Sequence, residues 1–149
     1  MVITNNPVNF PVVAVADTTF NTPSQYSLLT GVGAPWASEL LFGVTFTTDR
    51  LTVPVTGVYR INLWMNINAL SGAAAKVSVR YRLNSTGAFS LRKPTIKSAA
   101  AADMSQLVMS ELLSLTAGDY VQLYIASDTT GNILIEDTNS SLQLVRQTA

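Results

Sequence analysis

Apolar and polar residues alternate along several short stretches of the chain. Across residues 59–68 the odd positions are apolar, and the even positions are polar except for Trp64. The same alternation occurs in residues 77–83, 120–125 and 142–144. A period of two residues is typical of an antiparallel strand with one buried and one exposed face. The positions predicted to face a shared core are Tyr59, Ile61, Leu63, Val79, Tyr81, Val121 and Leu123.

Residues that favour turns separate these runs. Gly, Pro, Asn or Asp occur in residues 54–57, 84–87, 117–119 and 128–132. Gly118 can adopt a positive φ and Asp119 can hydrogen-bond its own backbone, so this pair predicts a tight hairpin turn. About nine or ten short runs bounded by turns predict an all-β sandwich or barrel rather than βαβ units.

Residues 104–115 allow two interpretations. Helical spacing is carried by Met104, Leu107, Val108, Leu112 and Leu115, which follow an alanine run. A strand would instead group Glu111 with Leu107, Met109, Leu113 and Leu115. Periodicity alone slightly favours the helix.

The N-terminal segment differs in composition from the rest of the chain. Residues 1–38 hold four of the six prolines, and Asp17 and Glu39 are the only charged residues before Leu40. Residues 12–16 and 26–32 are candidate strands, and the remainder resembles an extended arm. We therefore expect an arm with one or two strands over 1–38 and the main β domain over 39–149. Residues 11–16 are expected to join the sheet and the rest of the arm to reach a partner.

Low charge is the most informative feature of the composition. Charged residues make up 12% of the chain, about half the usual share, and Thr, Ser and Asn supply polarity instead. Such a surface is easily buried against a partner because no ion must lose its water. The alternative is a neutral, Thr-rich β protein that is soluble on its own.

Several classes of function are excluded or disfavoured. The chain contains no His and no Cys, which excludes Ser-His-Asp and Cys-His catalysis and the usual zinc sites. Zero net charge indicates no nucleic-acid partner. We expect no membrane span and no signal peptide, because no long apolar run and no basic leader occur.

The candidate chemical sites are weak. Glu136 and Asp137 are adjacent and would point to opposite faces of a strand, so no catalytic carboxylate pair is expected. Residues 128–132 only faintly resemble a calcium loop, and we expect no metal and no cofactor. The one basic cluster is Arg80, Arg82, Arg92 and Lys93. This cluster is either a solvated strand face or a site for an acidic ligand.

Aromatic residues are the candidates for an interface. Trp64 lies on the polar face of an otherwise well-sorted strand, and Trp36 follows a proline in the arm. Aromatic side chains anchor many interface cores. The predicted oligomer or partner contacts are Phe10, Phe20, Tyr26, Trp36, Trp64 and Tyr124. Packing within the chain and stacking on a sugar are the alternatives for the tryptophans.

Three motifs resemble a known family. Residues 51–61 (LTVPVTGVYRI) resemble a strand pair of the complement globular-head and tumour necrosis factor (TNF) jelly rolls. Residues 115–123 (LTAGDYVQL) are similar to a hairpin of that family, and residues 140–145 (SSLQLV) to its closing strand. The closing strand has Leu142 in place of the family's aromatic residue.

The resemblance implies that the domain over 39–149 is a jelly roll of about ten strands that assembles as a tight homotrimer, with a strand over residues 105–115. No collagen-like repeat precedes the domain, so a complement-type or hormone-type role is not expected. We expect a non-enzymatic structural protein of a phage virion, bound as a head decoration, head fibre or knob to a capsid or other virion protein. The alternative is a tip module that binds a host receptor or surface carbohydrate.

Overall fold

The computed structural model describes residues 2–5, 8–12, 26–28, 36–40, 44–47, 49–69, 75–90, 94–98, 104–127 and 131–147. These residues form twelve β-strands and contain no helix. The first six strands are β1 (Val2–Asn5), β2 (Val8–Val12), β3 (Ser27–Leu28), β4 (Trp36–Leu40), β5 (Thr45–Thr47) and β6 (Arg50–Thr52). The other six are β7 (Gly57–Ala69), β8 (Ala75–Leu83), β9 (Thr95–Ser98), β10 (Met104–Leu115), β11 (Tyr120–Ser127) and β12 (Gly131–Arg146).

The strands form two antiparallel sheets. Sheet A has the order β10-β7-β12-β1-β4, and β2 also pairs with β12. Sheet B has the order β5-β6-β11-β8-β9, and β3 also pairs with β11. Most neighbours in a sheet are not consecutive in the chain, as in a jelly roll. The predicted all-β jelly-roll sandwich is confirmed.

One buried cluster fills the space between the sheets. The predicted core residues all have exposed fractions of 5% or less, and Leu63 is fully buried. Met65 and Ile67 continue the same face of β7, while Trp64 is only partly buried. The predicted register of β7 is therefore confirmed, since a slip of one residue would exchange its two faces.

Residues 104–115 form a strand, as the family resemblance implies and against the helical spacing. Leu107, Met109, Leu113 and Leu115 are buried, and Glu111 between them is partly buried. The strand pairs with β7 from Met104–Asn68 to Leu115–Gly57. Twelve paired positions provide tertiary contacts that outweigh the local preference for helix.

The predicted pairing of β10 with β11 was wrong. The turn at Gly118 and Asp119 was predicted to close a hairpin between β10 and β11. In the described residues, β10 pairs with β7, whereas β11 pairs with β3, β6 and β8. The turn instead carries the chain from sheet A to sheet B. Turn residues predict a reversal but contain no information about which strands it joins.

The local geometry of this turn is as predicted. Gly118 has a φ of 91°, which an L side chain rarely adopts. The Thr116 N–H donates to Asp119 Oδ2 at 2.7 Å, and the Asp119 N–H donates to the Thr116 carbonyl at 2.9 Å. Asn84 Nδ2 donates to Asp119 Oδ1 at 2.7 Å, which ties the turn to the end of β8.

A bulge interrupts β12 where it pairs with β7. The register jumps between Glu136, opposite Asn66, and Ser141, opposite Trp64. The Asn66 N–H donates to the Ser140 hydroxyl oxygen at 2.9 Å, and Ser140 is fully buried. The hydroxyl thus satisfies a backbone donor that the interrupted ladder would leave unpaired.

The N-terminal segment contributes more strands than the one or two predicted. β1 pairs with residues 141–143 of β12, and β2 pairs with residues 131–135. Residues 2–5 and 8–10 therefore pair within the chain, although they were expected to reach a partner. Apolar residues at 8, 10 and 12 alternate with Asn9 and Pro11, but this run is short. Pro11 also counts against a strand except at a sheet edge.

The remaining predictions for this segment are only partly covered. Within the predicted strand 26–32, β3 is present at Ser27–Leu28, and residues 29–32 lie outside the described residues. Of the predicted strand 12–16, only Val12 is described. The division of the chain at residue 38 stays a prediction.

The buried face of β7 gives a test of the core. We expect Leu63→Ala to lower the free energy of unfolding by about 2–5 kcal/mol, because the cavity at a fully buried site cannot be filled by water. Urea unfolding at one fixed protein concentration measures the loss, because any self-association would make the stability depend on concentration. Val55→Ala, at a residue 45% exposed, is the control and should change stability by less than about 0.5 kcal/mol. Equal losses in both variants would contradict the register.

Candidate functional site

Two of the described carboxylates have hydrogen-bond partners within the fold. Asp119 closes the turn after β10, and Asp49 forms an ion pair with Arg50 at 2.9 Å. Glu111 is the only charged residue on the core-facing side of β10. In the ranges that the structure describes, no group of three or more acidic side chains could hold a metal ion. Residues 128–130 of the possible calcium loop lie outside those ranges.

The outer face of sheet A carries large apolar side chains where a solvated strand would be polar. The apolar members of this sheet A face are Val58, Trp64, Val108, Leu112 and Val145. Leu112 is 54% exposed and Val108 is 49% exposed. Scattered exposed apolar residues are ordinary, but an aligned group of them marks an interaction surface.

Strand pairing aligns these residues into rows across the sheet. Val108 on β10 lies opposite Trp64 on β7, and Trp64 lies opposite Ser141 on β12. Four residues along β10 from Val108, Leu112 lies opposite Arg60, which in turn lies opposite Val145.

A polar row lies between the two apolar rows. It consists of Ser110, Asn62 and Gln143 on the three neighbouring strands. The Ser110 hydroxyl donates to Asn62 Oδ1 at 2.7 Å, so these two side chains partly satisfy each other. Uncharged groups paired in this way lose little on burial. The face combines apolar contact area with polar groups that tolerate the removal of water.

The outer face of sheet B carries a different group of side chains. We call it the arginine–aromatic patch, and it consists of Tyr26, Arg80, Arg82, Phe89 and Tyr124. The Phe89 ring centroid is 5.3 Å from that of Tyr26 and 5.0 Å from that of Tyr124. The Tyr26 hydroxyl is 3.2 Å from the Ser78 hydroxyl. Burial raises the pKa of the Tyr26 phenol, opposed by this hydrogen bond and by the charge of Arg80.

The structure separates the six predicted interface residues. Trp64 lies on the sheet A face, and Tyr26 and Tyr124 meet in the arginine–aromatic patch. Tyr26 is 6% exposed and packs within its own chain. Phe10 and Trp36 belong to β2 and β4, where only the backbone is described, and Phe20 lies outside the described residues. Contacts of these residues with a partner stay a prediction.

Half of the residues that form the two surfaces were not predicted as site residues from the sequence, namely Val58, Val108, Leu112, Val145 and Phe89. Val108 and Leu112 belong to the apolar series that suggested a helix, so the signal for an exposed apolar face was present but was assigned to another element. Phe89 lies outside the named strands and reaches the rings through the bridge of residues 82 and 89. No periodic pattern could have indicated its position.

A hydrogen-bonded cluster holds one end of sheet B. Asp49 accepts hydrogen bonds from Arg50 Nε at 2.9 Å and from Gln122 Nε2 at 2.7 Å. The hydrogen bond from Arg50, assisted by the one from Gln122, lowers the pKa of the Asp49 carboxyl below its usual value. The Ser85 hydroxyl donates to Gln122 Oε1 at 3.0 Å, so the buried Gln122 links Asp49 with the turn after β8. This cluster is a structural connection between loops.

Solved structures of low sequence identity share this fold. The structure of Eiger TNF from S. frugiperda matches with a TM-score of 0.59 at 14% identity, over 99% of this chain and 92% of that one. Murine APRIL at pH 5.0 matches with a TM-score of 0.62 at 14% identity, over 98% of both chains. Murine APRIL at pH 8.5 gives 0.59 at 15% identity, also over 98% of both.

These similarities support the TNF part of the family resemblance at the level of fold alone. The sequence matches no family model and no curated protein. The complement and phage parts of the expectation therefore stay predictions. None of the residues placed by the structure belongs to a helix able to cross a membrane.

The Asp49 cluster predicts a dependence of stability on acid. A carboxyl whose pKa is lowered by folding stabilises the fold above its unfolded pKa, and this contribution is lost as the pH falls through its folded pKa. We expect Asp49→Asn to reduce the decline in free energy of unfolding between about pH 5 and pH 2. Denaturant titrations of both proteins at several pH values measure this slope. An unchanged slope would show that Asp49 does not contribute to acid sensitivity.

Proposed function

We propose that this protein is a non-enzymatic jelly-roll subunit that assembles as a homotrimer through the sheet A face. The single observation that carries the proposal is the pair of apolar rows on an outer sheet face, with Val108 and Leu112 about half exposed. The TNF-like fold supports the proposed trimer, because the sequence motifs resemble a family whose jelly rolls assemble as trimers. A second copy of the chain would remove these side chains from water.

The chemistry of the face suits contact between identical copies. Along β7, Arg60 is the only charged residue between Val58 and Trp64, and its neighbours across the sheet are Leu112 and Val145. Burying such a surface requires the dehydration of few ions, which is the main cost of burying charged faces. A closed ring of three copies would also cover apolar surface on a chain of which only 12% of the residues are charged.

The finer part of the proposal is a structural role on a phage particle, as a head decoration, head fibre or knob bound to a capsid or other virion protein. The sequence features that support it are the low charge, the polarity supplied by Thr, Ser and Asn, and the proline-interrupted segment 1–38. Mass measurement of the native particle or complex tests this role, because it identifies the partner directly. A complex with a host receptor or glycan alone would favour the tip module.

Charge inserted into the apolar row tests self-association. We expect the unaltered protein to sediment as a trimer at micromolar concentration and Val108→Glu to sediment as a monomer, because assembly would bury an unpaired carboxylate beside Trp64. Leu112→Lys, in the second row, should also sediment as a monomer, because it lies opposite Arg60 and assembly would bury two like charges. The matched control is Val55→Glu, at an exposed valine outside both rows, which should remain trimeric.

Two results would contradict the proposal. One is a stable monomer of the unaltered protein at micromolar concentration. The other is a trimer that persists in both Val108→Glu and Leu112→Lys, which would place the contact on another face. Circular dichroism of each variant shows whether the monomers retain the β-sandwich.

A further inference from the structure

Two arginines project from the same face of β8 in the arginine–aromatic patch. Arg80 and Arg82 occupy alternate positions of the strand, so their Cα atoms lie about 7 Å apart. The Arg80 guanidinium carbon is 5.4 Å from the centroid of the Tyr26 ring, and that of Arg82 is 5.0 Å from the centroid of Phe89. Rings at this distance attract and orient a guanidinium.

Neither arginine is neutralised within the described structure. The ion pair formed by the described residues is that of Arg50 with Asp49. Arg82 Nε donates to the Gly87 carbonyl at 2.5 Å, which fixes the direction of its side chain. Arg80 Nε is buried and has no hydrogen-bond partner. The Arg80 guanidinium lies beside the Tyr26 ring, and no carboxylate of the described residues forms an ion pair with it.

This arrangement matches one kind of ligand closely. Guanidinium forks bind carboxylates through two parallel hydrogen bonds. Alternate side chains of an extended peptide have the same spacing, about 7 Å, as Arg80 and Arg82 on β8. We propose that the arginine–aromatic patch binds an extended acidic segment of a partner protein, with carboxylates at alternate residues contacting Arg80 and Arg82.

Other anionic or ring-stacking partners fit the patch less well. Tyr26 is 6% exposed and Phe89 is 9% exposed, so most of their surface is already covered by the chain itself. They offer little free ring surface to a sugar or to a nucleic-acid base, which would need an open ring face. The chain has a net charge of zero, so it lacks the excess of basic residues that binding to a phosphate backbone requires.

The patch is independent of self-association because it lies on the other sheet. Arg80 pairs with Tyr124 on β11 of sheet B, whereas the apolar rows lie on sheet A. Failure of one proposal leaves the other intact. The two surfaces can therefore be tested in the same protein by separate measurements.

The test uses a fluorescently labelled peptide with Glu at every second residue and the full-length protein. Fluorescence anisotropy should show binding that weakens at least roughly tenfold in the double variant Arg80→Gln, Arg82→Gln, because two charge-assisted contacts are lost. Arg146→Gln removes one exposed arginine from sheet A and should leave the affinity unchanged. Affinity should also fall as salt is raised, and less steeply in the double variant.

Three outcomes would overturn the proposal. The first is equal affinity of the unaltered protein and the double variant. The second is equal affinity for a peptide with the same glutamates placed consecutively, which would show charge attraction without the strand spacing. The third is displacement of the peptide by inorganic phosphate at equal concentration, which would indicate a general anion site.

Loss of the Gly87 hydrogen bond could unfold the turn in the Arg82 variant. Arg80→Gln alone keeps that hydrogen bond, and it should still weaken binding several-fold. Arg80→Lys keeps the charge without the planar fork and should bind more weakly than the unaltered protein. Full affinity in both Arg80 variants, with unchanged thermal unfolding, would overturn the role of this residue.

Discussion

The register of β7 between β10 and β12 is the constraint on which the rest of the structure depends. It places Leu63 between the sheets and Trp64 on the outer face. The residues of β10 and β12 that pair with Leu63 and Trp64 lie on the same faces as these two residues. A shift of one residue would expose the buried face and bury the asparagines. The register of β7 therefore determines both which residues form the core and which residues form the sheet A face.

The two outer faces carry different chemistry. The sheet A face presents apolar rows with few charges, whereas sheet B presents arginines held against rings. A hydrophobic face favours a permanent contact, because it gains from the removal of water and lacks directional bonds. Charged groups in fixed positions favour selective and reversible binding. If both proposals hold, one subunit assembles through one sheet and contacts another molecule through the other.

Sequence patterns predicted the strands with a clean period of two, the inward side of β7 and the positive φ of Gly118. The helical spacing of residues 104–115 arises because β10 is apolar on both faces, with Leu107 inside and Val108 outside. Periodicity could not distinguish a helix from a strand with two apolar faces, whereas the family resemblance indicated the strand. The pairing of β10 with β7, the ring contacts of Phe89 and the two N-terminal strands on β12 depend on long-range packing, which no local pattern records.

The bulge at residues 137–140 divides β12 into two halves that share β7 on one edge and have different partners on the other, β2 and β1. The first strands of the chain therefore close the sheet against its last strand. During synthesis, residues 2–12 must remain without these partners until residues 131–146 leave the ribosome. Such distant pairing slows folding. Until β12 has been synthesised, β1, β2 and β7 therefore lack a strand with which they pair, and unpaired strand edges of this kind can pair with other chains.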